Sequence, residues 1–106
     1  MDAVSELTQS VMRRDGMYQE KVRVTMRNGL YRDAMNVVQV ANQYSSEVYI
    51  DKGRKSANAK SVLGMIALSI QPGDTVTVRA QGADAGHALK SLCHVIGVSM
   101  NIRNEY

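Results

Sequence analysis

Residues 20–33 read EKVRVTMRNGLYRD and describe a strand that turns into a helix. Apolar and polar side chains alternate over Glu20–Arg27, which is typical of a strand with one buried face. Gly29 interrupts the alternation and can adopt backbone angles that other residues avoid. Arg32 offers a planar group with several donors for phosphate or carboxylate, and Asp33 is placed to cap the following helix. The corner is therefore a candidate anion site, although a surface arginine beside a capped helix is the plainer interpretation.

The same two periodicities recur along the rest of the chain. Apolar residues spaced three or four apart predict three helices, at Asp33–Tyr44, Ser61–Ser69 and Asp84–Ile96. Further alternating stretches predict strands at Glu47–Asp51 and Asp74–Gln81. The tight turn at Lys52-Gly53-Arg54 predicts that Lys55–Asn58 returns as a short antiparallel strand.

These elements define a fold class. Strands with one polar face imply an antiparallel sheet that is open to water on one side. Helices with a single apolar stripe must then cover the other side. We therefore expect an α/β (α+β) two-layer open-faced sandwich, with a four-stranded antiparallel sheet and three helices on one face.

Both ends of the chain fall outside this pattern. Val4, Leu7 and Val11 share a helical spacing and predict a short N-terminal helix, although a frayed tail or a start at Met17 stays open. Val98–Ile102 is weakly strand-like. The expected division is an N-terminal extension at 1–18, one domain at 19–97 and a C-terminal tail at 98–106.

The composition excludes several classes of protein. No apolar run approaches the ~20 residues that span a bilayer, and no signal peptide is visible. The single Cys rules out an internal disulfide and fits a reducing compartment, so a cytoplasmic location is expected. A net charge of +3 is too small to argue for nucleic acid, because thirteen basic residues are interspersed with ten acidic ones.

Six short stretches, taken together and at matching spacing, resemble the HPr family. They are Asn28-Gly29-Leu30, Val38–Asn42, Gly53–Ser61, Val62-Leu63-Gly64, Gly73–Val78 and Ala80–Asp84. HPr is the histidine-containing phosphocarrier of the bacterial sugar phosphotransferase system. The resemblance runs from about Glu20 to Ile96 and implies the open-faced sandwich already expected, in a protein that is not an enzyme and needs no cofactor.

One stretch departs from the family at the position that carries phosphate. After Gly-Leu the family reads His-Ala-Arg-Pro, and the His passes phosphate from enzyme I to sugar transporters. Here Tyr31 stands in the place of the His, one residue is deleted, Arg32 keeps the place of the Arg, and Asp33 replaces the Pro. A phenol is mostly protonated near neutral pH and is a poor nucleophile without a base. We therefore expect no phosphate relay at Tyr31.

A second corner keeps the family pattern. Ser61 precedes an apolar helical run, so an ordinary N-cap is the plainest interpretation. The resemblance adds a regulatory role, because Gram-positive HPr and its Crh-like relatives are phosphorylated at this serine by an HPr kinase. The modified proteins then bind a catabolite control regulator of transcription. Lys60, Val62, Leu63 and Ile66 would contribute to the partner surface, as an apolar patch beside a charged rim.

Two other functions remain open. The first is a degenerate phosphocarrier that docks enzyme I or sugar transporters without passing phosphate. The second is a small basic nucleic-acid-binding domain with Arg23, Arg27 and Arg79 along a sheet face. That second interpretation is weak, since Tyr49 alone is available there for stacking on bases.

The two histidines lie on the third predicted helix. His87 and His94 are seven residues apart near Lys90, on the side expected to face solvent. We interpret them as surface residues, because a pair without a third ligand makes a poor metal site. No metal and no membrane partner are expected.

Overall fold

The computed structural model describes residues 11–12 and 17–100. The strands are β1 (Val11–Met12), β2 (Met17–Val24), β3 (Glu47–Lys52), β4 (Lys55–Asn58), β5 (Thr75–Gln81) and β6 (Gly97–Ser99). The helices are α1 (Leu30–Ala41), α2 (Val62–Leu68) and α3 (Ala85–Ile96).

Every strand pair in the sheet is antiparallel, and the central order is β2-β5-β3-β4. The predicted fold class is confirmed, with these four strands forming the main sheet and three helices lying on it. Two short strands share the outer edge of β2. The first, β1, was not predicted, whereas β6 overlaps the stretch at Val98–Ile102 that the sequence marks as weakly strand-like. β1 pairs with Tyr18 and Gln19, whereas β6 pairs with Val22–Val24.

The chain ends therefore differ from the prediction. Val11 was expected in a helix but belongs to β1, because the outer edge of β2 offers it backbone partners. Val4 and Leu7 lie outside the described residues. Helix α3 ends at Ile96 as predicted, and Gly97 begins β6, which runs into the predicted tail.

The core lies between the sheet and the helices. β2, β3 and β5 bury one side chain in two, as their alternation predicts. The largest fully buried apolar side chains are Ile50, Met65, Leu89, Leu92, Ile96, Val22, Val24, Val37, Val48, Val76 and Val78. Because the core contains neither Phe nor Trp, these medium-sized aliphatic side chains supply most of its apolar burial.

Helix α1 begins at Leu30, three residues earlier than predicted. Gly29, with a φ of 102°, occupies the N-cap, and its carbonyl accepts a hydrogen bond of 2.9 Å from the Asp33 amide. Asp33 is therefore not the cap. Its buried carboxylate accepts bonds of 3.2 Å from the backbone and side-chain nitrogens of Asn28 instead.

Asp84, the first residue of the third predicted helix, does not cap that helix with its side chain. It stands at the N-cap position of α3, but its side chain does not bond to the α3 backbone. The carboxylate accepts hydrogen bonds from the amides of Ser45 and Ser46, at 3.0 and 2.9 Å, and from the Ser46 hydroxyl. It thus fastens the loop between α1 and β3 to the start of α3.

Candidate functional site

The corner predicted to resemble a phosphate-transfer loop forms the first turn of α1. Tyr31 is 64% exposed, and Arg32 is also exposed, whereas Asp33 is buried at 5%. The Asp33 carboxylate is turned to Asn28 by the bonds described above. The corner thus presents a phenol and a guanidinium to solvent, and no imidazole.

Ser61 is the N-cap of α2, as predicted. Its hydroxyl oxygen accepts a 2.9 Å hydrogen bond from the amide of Gly64, and its carbonyl accepts one of 2.9 Å from Met65. The extended backbone of Ser61 is typical of an N-cap residue. The side chain is half-buried, so the hydroxyl lies at the surface with one backbone donor already bound to it.

Lys60 precedes Ser61 in the sequence, but its side chain is hydrogen-bonded to another part of the fold. Its ammonium group donates a 2.8 Å hydrogen bond to the carbonyl of Tyr44, just beyond the end of α1. The Tyr44 hydroxyl lies 2.5 Å from the hydroxyl oxygen of Ser91 on α3. Lys60 therefore connects the Ser61 corner to Tyr44, and Tyr44 continues that connection to α3.

The predicted apolar patch is only partly exposed. Leu63 is 80% exposed, whereas Val62 and Ile66 are half-buried and pack against the core. Two further exposed apolar residues belong to α1, Leu30 at 40% and Tyr31. Leu30 was not predicted as a site residue. Its place within a family motif gave no indication that the start of a helix would leave its side chain exposed.

Helices α1 and α2 pack against each other. Leu30 and Asp33 from α1 and Met65 from α2 line one small cavity. The exposed Leu30 and Tyr31 on α1 and the exposed Leu63 on α2 therefore belong to two helices that pack together. These residues, with Ser61 at the start of α2, form the candidate functional site.

On the open face of the sheet, Arg79 is paired with a carboxylate. Arg79 is one of the basic residues considered above for nucleic-acid binding. Arg79 donates to Asp51 through Nε at 2.7 Å and Nη2 at 2.9 Å, and its guanidinium lies 5.2 Å from the centre of the Tyr49 ring. Burial acts to raise the pKa of Asp51, but hydrogen bonds from Arg79 and Ser56 outweigh it and lower that pKa. Because the Tyr49 ring is in contact with Arg79, the residue that the nucleic-acid interpretation needs for stacking on bases already has a partner within the protein.

The two histidines lie on the exposed side of α3, as predicted. With Lys90 and Tyr18 they line a cleft between α3 and β2. Cys93 is buried nearby, and burial raises the pKa of its thiol. Within residues 17–100 no three His, Cys, Asp or Glu side chains are grouped to hold a metal ion.

Comparison with known proteins identifies the family. Residues 18–97 match the family described as the PTS HPr component phosphorylation site. HPr-like protein Crh of Bacillus subtilis is 43% identical over 77 residues, which are 72% of this chain and 91% of Crh. Phosphocarrier protein HPr of Haemophilus influenzae is 36% identical over 81 residues, covering 76% and 95% of the two chains.

Structural comparison agrees with this assignment. The crystal structure of HPr from Bacillus anthracis matches with a TM-score of 0.72 at 38% identity, covering 76% of this chain and 96% of that one. The fold is therefore that of the HPr-like open-faced sandwiches, and the chain belongs to the HPr family. It is an HPr-like protein related to the bacterial phosphotransferase system, a family of phosphocarrier and regulatory proteins whose partners are other proteins. No helix in the described ranges has the length and apolar character needed to cross a membrane.

Proposed function

We propose that this chain is a regulatory HPr-like protein, switched by phosphorylation of Ser61, and not a His phosphocarrier. The observation that carries the proposal is the contrast between the two corners. Tyr31 replaces the phosphate-carrying imidazole, whereas Ser61 keeps both the family sequence around it and a surface position. The proposal includes a cytoplasmic location.

The chemistry at Tyr31 supports this choice. A neutral imidazole is a nucleophile near pH 7, so it can accept and release a phosphoryl group there. A phenol needs a base, and the nearest carboxylate in the sequence, Asp33, is buried and bonded to Asn28. Arg32 can bind an anion at this corner but cannot act as that base, because it stays protonated.

Phosphorylation of Ser61 would place a new charge beside an apolar anchor. In that reaction the hydroxyl oxygen of Ser61 attacks the γ-phosphorus of ATP, ADP leaves and the hydroxyl proton is released. The product carries about −1.5 to −2 charges, next to the exposed Leu63. A charged group beside an apolar side chain is a surface that a partner can read, through basic residues and an apolar pocket.

The proposed partners follow from this surface. An HPr kinase/phosphorylase would add and remove the phosphate, and a catabolite control regulator would bind the modified form. Lys60, Val62, Leu63 and Ile66 would take part, with Leu63 contributing most of the exposed apolar area. Docking of enzyme I or other phosphotransferase components without phosphate transfer is the second candidate, favoured by the exposed Leu30 and Tyr31 on α1.

The proposal is tested by intact-mass spectrometry after incubation with ATP and an HPr kinase. We expect one added phosphate in the wild type and in Ser56→Ala, and none in Ser61→Ala. Ser56 is a matched control because it is an exposed serine on the neighbouring strand β4. Phosphate retained in Ser61→Ala, or absent from the wild type while a normal HPr is modified, would contradict the proposal.

A further inference from the structure

In the unmodified protein, the Lys60 ammonium group donates a hydrogen bond to an uncharged acceptor. This bond suggests how phosphorylation of Ser61 changes contacts elsewhere in the fold. The ammonium group lies 2.8 Å from the Tyr44 carbonyl oxygen. Lys60 is half-buried, and its own amide is fixed by a 2.8 Å bond to the Asn58 side chain. The backbone is therefore anchored next to Ser61, while the end of the side chain is held by one uncharged oxygen.

A phosphate on Ser61 would compete for this ammonium group. The present bond joins a charged donor to a neutral carbonyl, whereas a phosphate would add the Coulomb attraction between opposite charges and offers three strong acceptor oxygens. Lys60 is the residue directly before Ser61. The Tyr44 carbonyl has no charge with which to retain the ammonium group.

We propose that Lys60 is a positioning residue for Ser61 phosphorylation, whose ammonium group leaves the Tyr44 carbonyl and pairs with the phosphate. This inference rests on the proposed function. It adds which group of the protein neutralises the phosphate once Ser61 is modified. Lys60 is then the internal counter-ion of the modified serine. Release of Tyr44 is the structural consequence of modification.

Tyr44 is well placed to pass this change on. Its amide bonds to the carbonyl of Ala41 at 3.2 Å, and its hydroxyl contacts Ser91 on α3. The next residue, Ser45, donates its amide to Asp84 at the start of α3. Losing the Lys60 bond therefore loosens a residue that is bonded to both α1 and α3.

The test uses the full chain with phosphoserine installed genetically at position 61, so that no kinase is needed. The readout is the ¹³C resonance of the Tyr44 carbonyl, which reports directly on the hydrogen bond that this oxygen accepts. We expect an upfield shift in the phosphorylated wild type. Unmodified Lys60→Met, which keeps the alkyl stem but lacks the ammonium group, should already show this shift.

The controls separate the new pairing from a general effect of charge. Phosphorylated Lys60→Met should show no further shift at Tyr44, and Lys55→Met, an exposed lysine on β4, should behave as the wild type. The inference is overturned if phosphoserine leaves the Tyr44 resonance of the wild type unchanged, or shifts it equally in Lys60→Met. Failure of a kinase to modify Ser61 would count against the proposed function alone, because the phosphoserine protein is made without one.

Discussion

At the residue scale, Asp84 shows how one carboxylate joins distant parts of the fold. The hydrogen bonds from Ser46 and Ser45 lower its pKa to about 2. A lowered pKa in the folded state favours folding when the carboxylate is ionised. The stabilisation is therefore present above the unfolded pKa of ~4 and is lost as the pH falls towards 2.

We predict that Asp84→Asn lowers the midpoint temperature of unfolding at pH 7, because its amide NH₂ faces groups that are donors themselves. The loss should shrink between pH 4 and pH 2, since the wild type loses the same stabilisation there. Thermal melts followed by circular dichroism across this range provide the measurement. Glu47→Gln, which removes an exposed carboxylate on β3, should change little. A loss for Asp84→Asn that does not depend on pH would refute the assignment.

At the scale of the secondary-structure elements, the start of α1 depends on the backbone conformation of Gly29. The φ of 102° at Gly29 lies in a region that other L-residues rarely adopt. A Cβ built at Gly29 meets no atom within 4 Å, so any cost of a side chain there comes from the backbone alone. Gly86, inside α3, offers the contrast, since a Cβ there makes ordinary contact at 3.6 Å with the Tyr18 ring.

This contrast gives a paired prediction. Gly29→Ala should reduce the free energy of unfolding by about 1–3 kcal/mol through backbone strain. Gly86→Ala should raise it by up to about 1 kcal/mol, because Ala is the better helix former. Urea unfolding of both variants measures the difference. Equal effects of the same sign would show that the α1 start is not set by this glycine.

The hydroxyl of Ser61 is also the N-cap acceptor of α2, so a substitution at Ser61 changes the stability of the helix as well as the site of modification. Ser61→Ala should cost about 0.5–2 kcal/mol, because the Gly64 amide loses its acceptor. Ser61→Asp should stay close to the wild type, because a carboxylate also accepts this bond, and it cannot be phosphorylated. Urea unfolding of the two variants checks the order. Equal losses of stability in the two variants would contradict the assignment of this stability to the hydrogen bond that Ser61 accepts from Gly64.

At the scale of the whole molecule, β6 closes part of the outer edge of β2. Gly97 stands opposite Val24, and a Cβ at Gly97 would lie 1.8 Å from the carbonyl oxygen of Arg23. That oxygen belongs to the backbone of the sheet, so it cannot move aside cheaply. The close approach of the two chains therefore depends on this glycine.

We predict that Gly97→Ala displaces β6 and destabilises the protein by about 1–3 kcal/mol, as overpacking does in tight sites. Val98→Ala, which shortens an exposed side chain in the same strand, should cost much less. Amide hydrogen exchange should also accelerate at Thr25, whose amide bonds to the Ile96 carbonyl beside the clash. Unchanged stability in Gly97→Ala would mean that β6 contributes little to the fold.

Most of the fold could be predicted because its main elements carry a clear period. β5 and α3 were located to within a residue, since each has an uninterrupted pattern and one buried face. β1 was not predicted and β6 was only weakly indicated, because two or three residues carry no clear period and their pairing depends on a free edge elsewhere. The roles of Asp33 and Asp84 were also misjudged, since sequence reasoning considers the nearest helix, whereas Ser46 lies 38 residues from Asp84.

The candidate site was predictable to a similar extent. Ser61 as an N-cap followed from local sequence alone. The exposure of Leu63 and the burial of Asp33 depend on how α1 and α2 meet, which only the folded chain reveals. The bond from Lys60 to Tyr44 joins residues 16 apart and had no signal in the sequence.

We propose that phosphate enters at Ser61 and not at the Tyr31 corner. The most direct test incubates the chain in parallel with ATP and an HPr kinase, and with phosphoenolpyruvate and enzyme I, beside a normal HPr. Intact mass should show one phosphate from the kinase, lost in Ser61→Ala, and none from enzyme I while the control HPr is modified. Phosphate transferred from enzyme I to this chain would contradict the claim and restore the protein as a carrier.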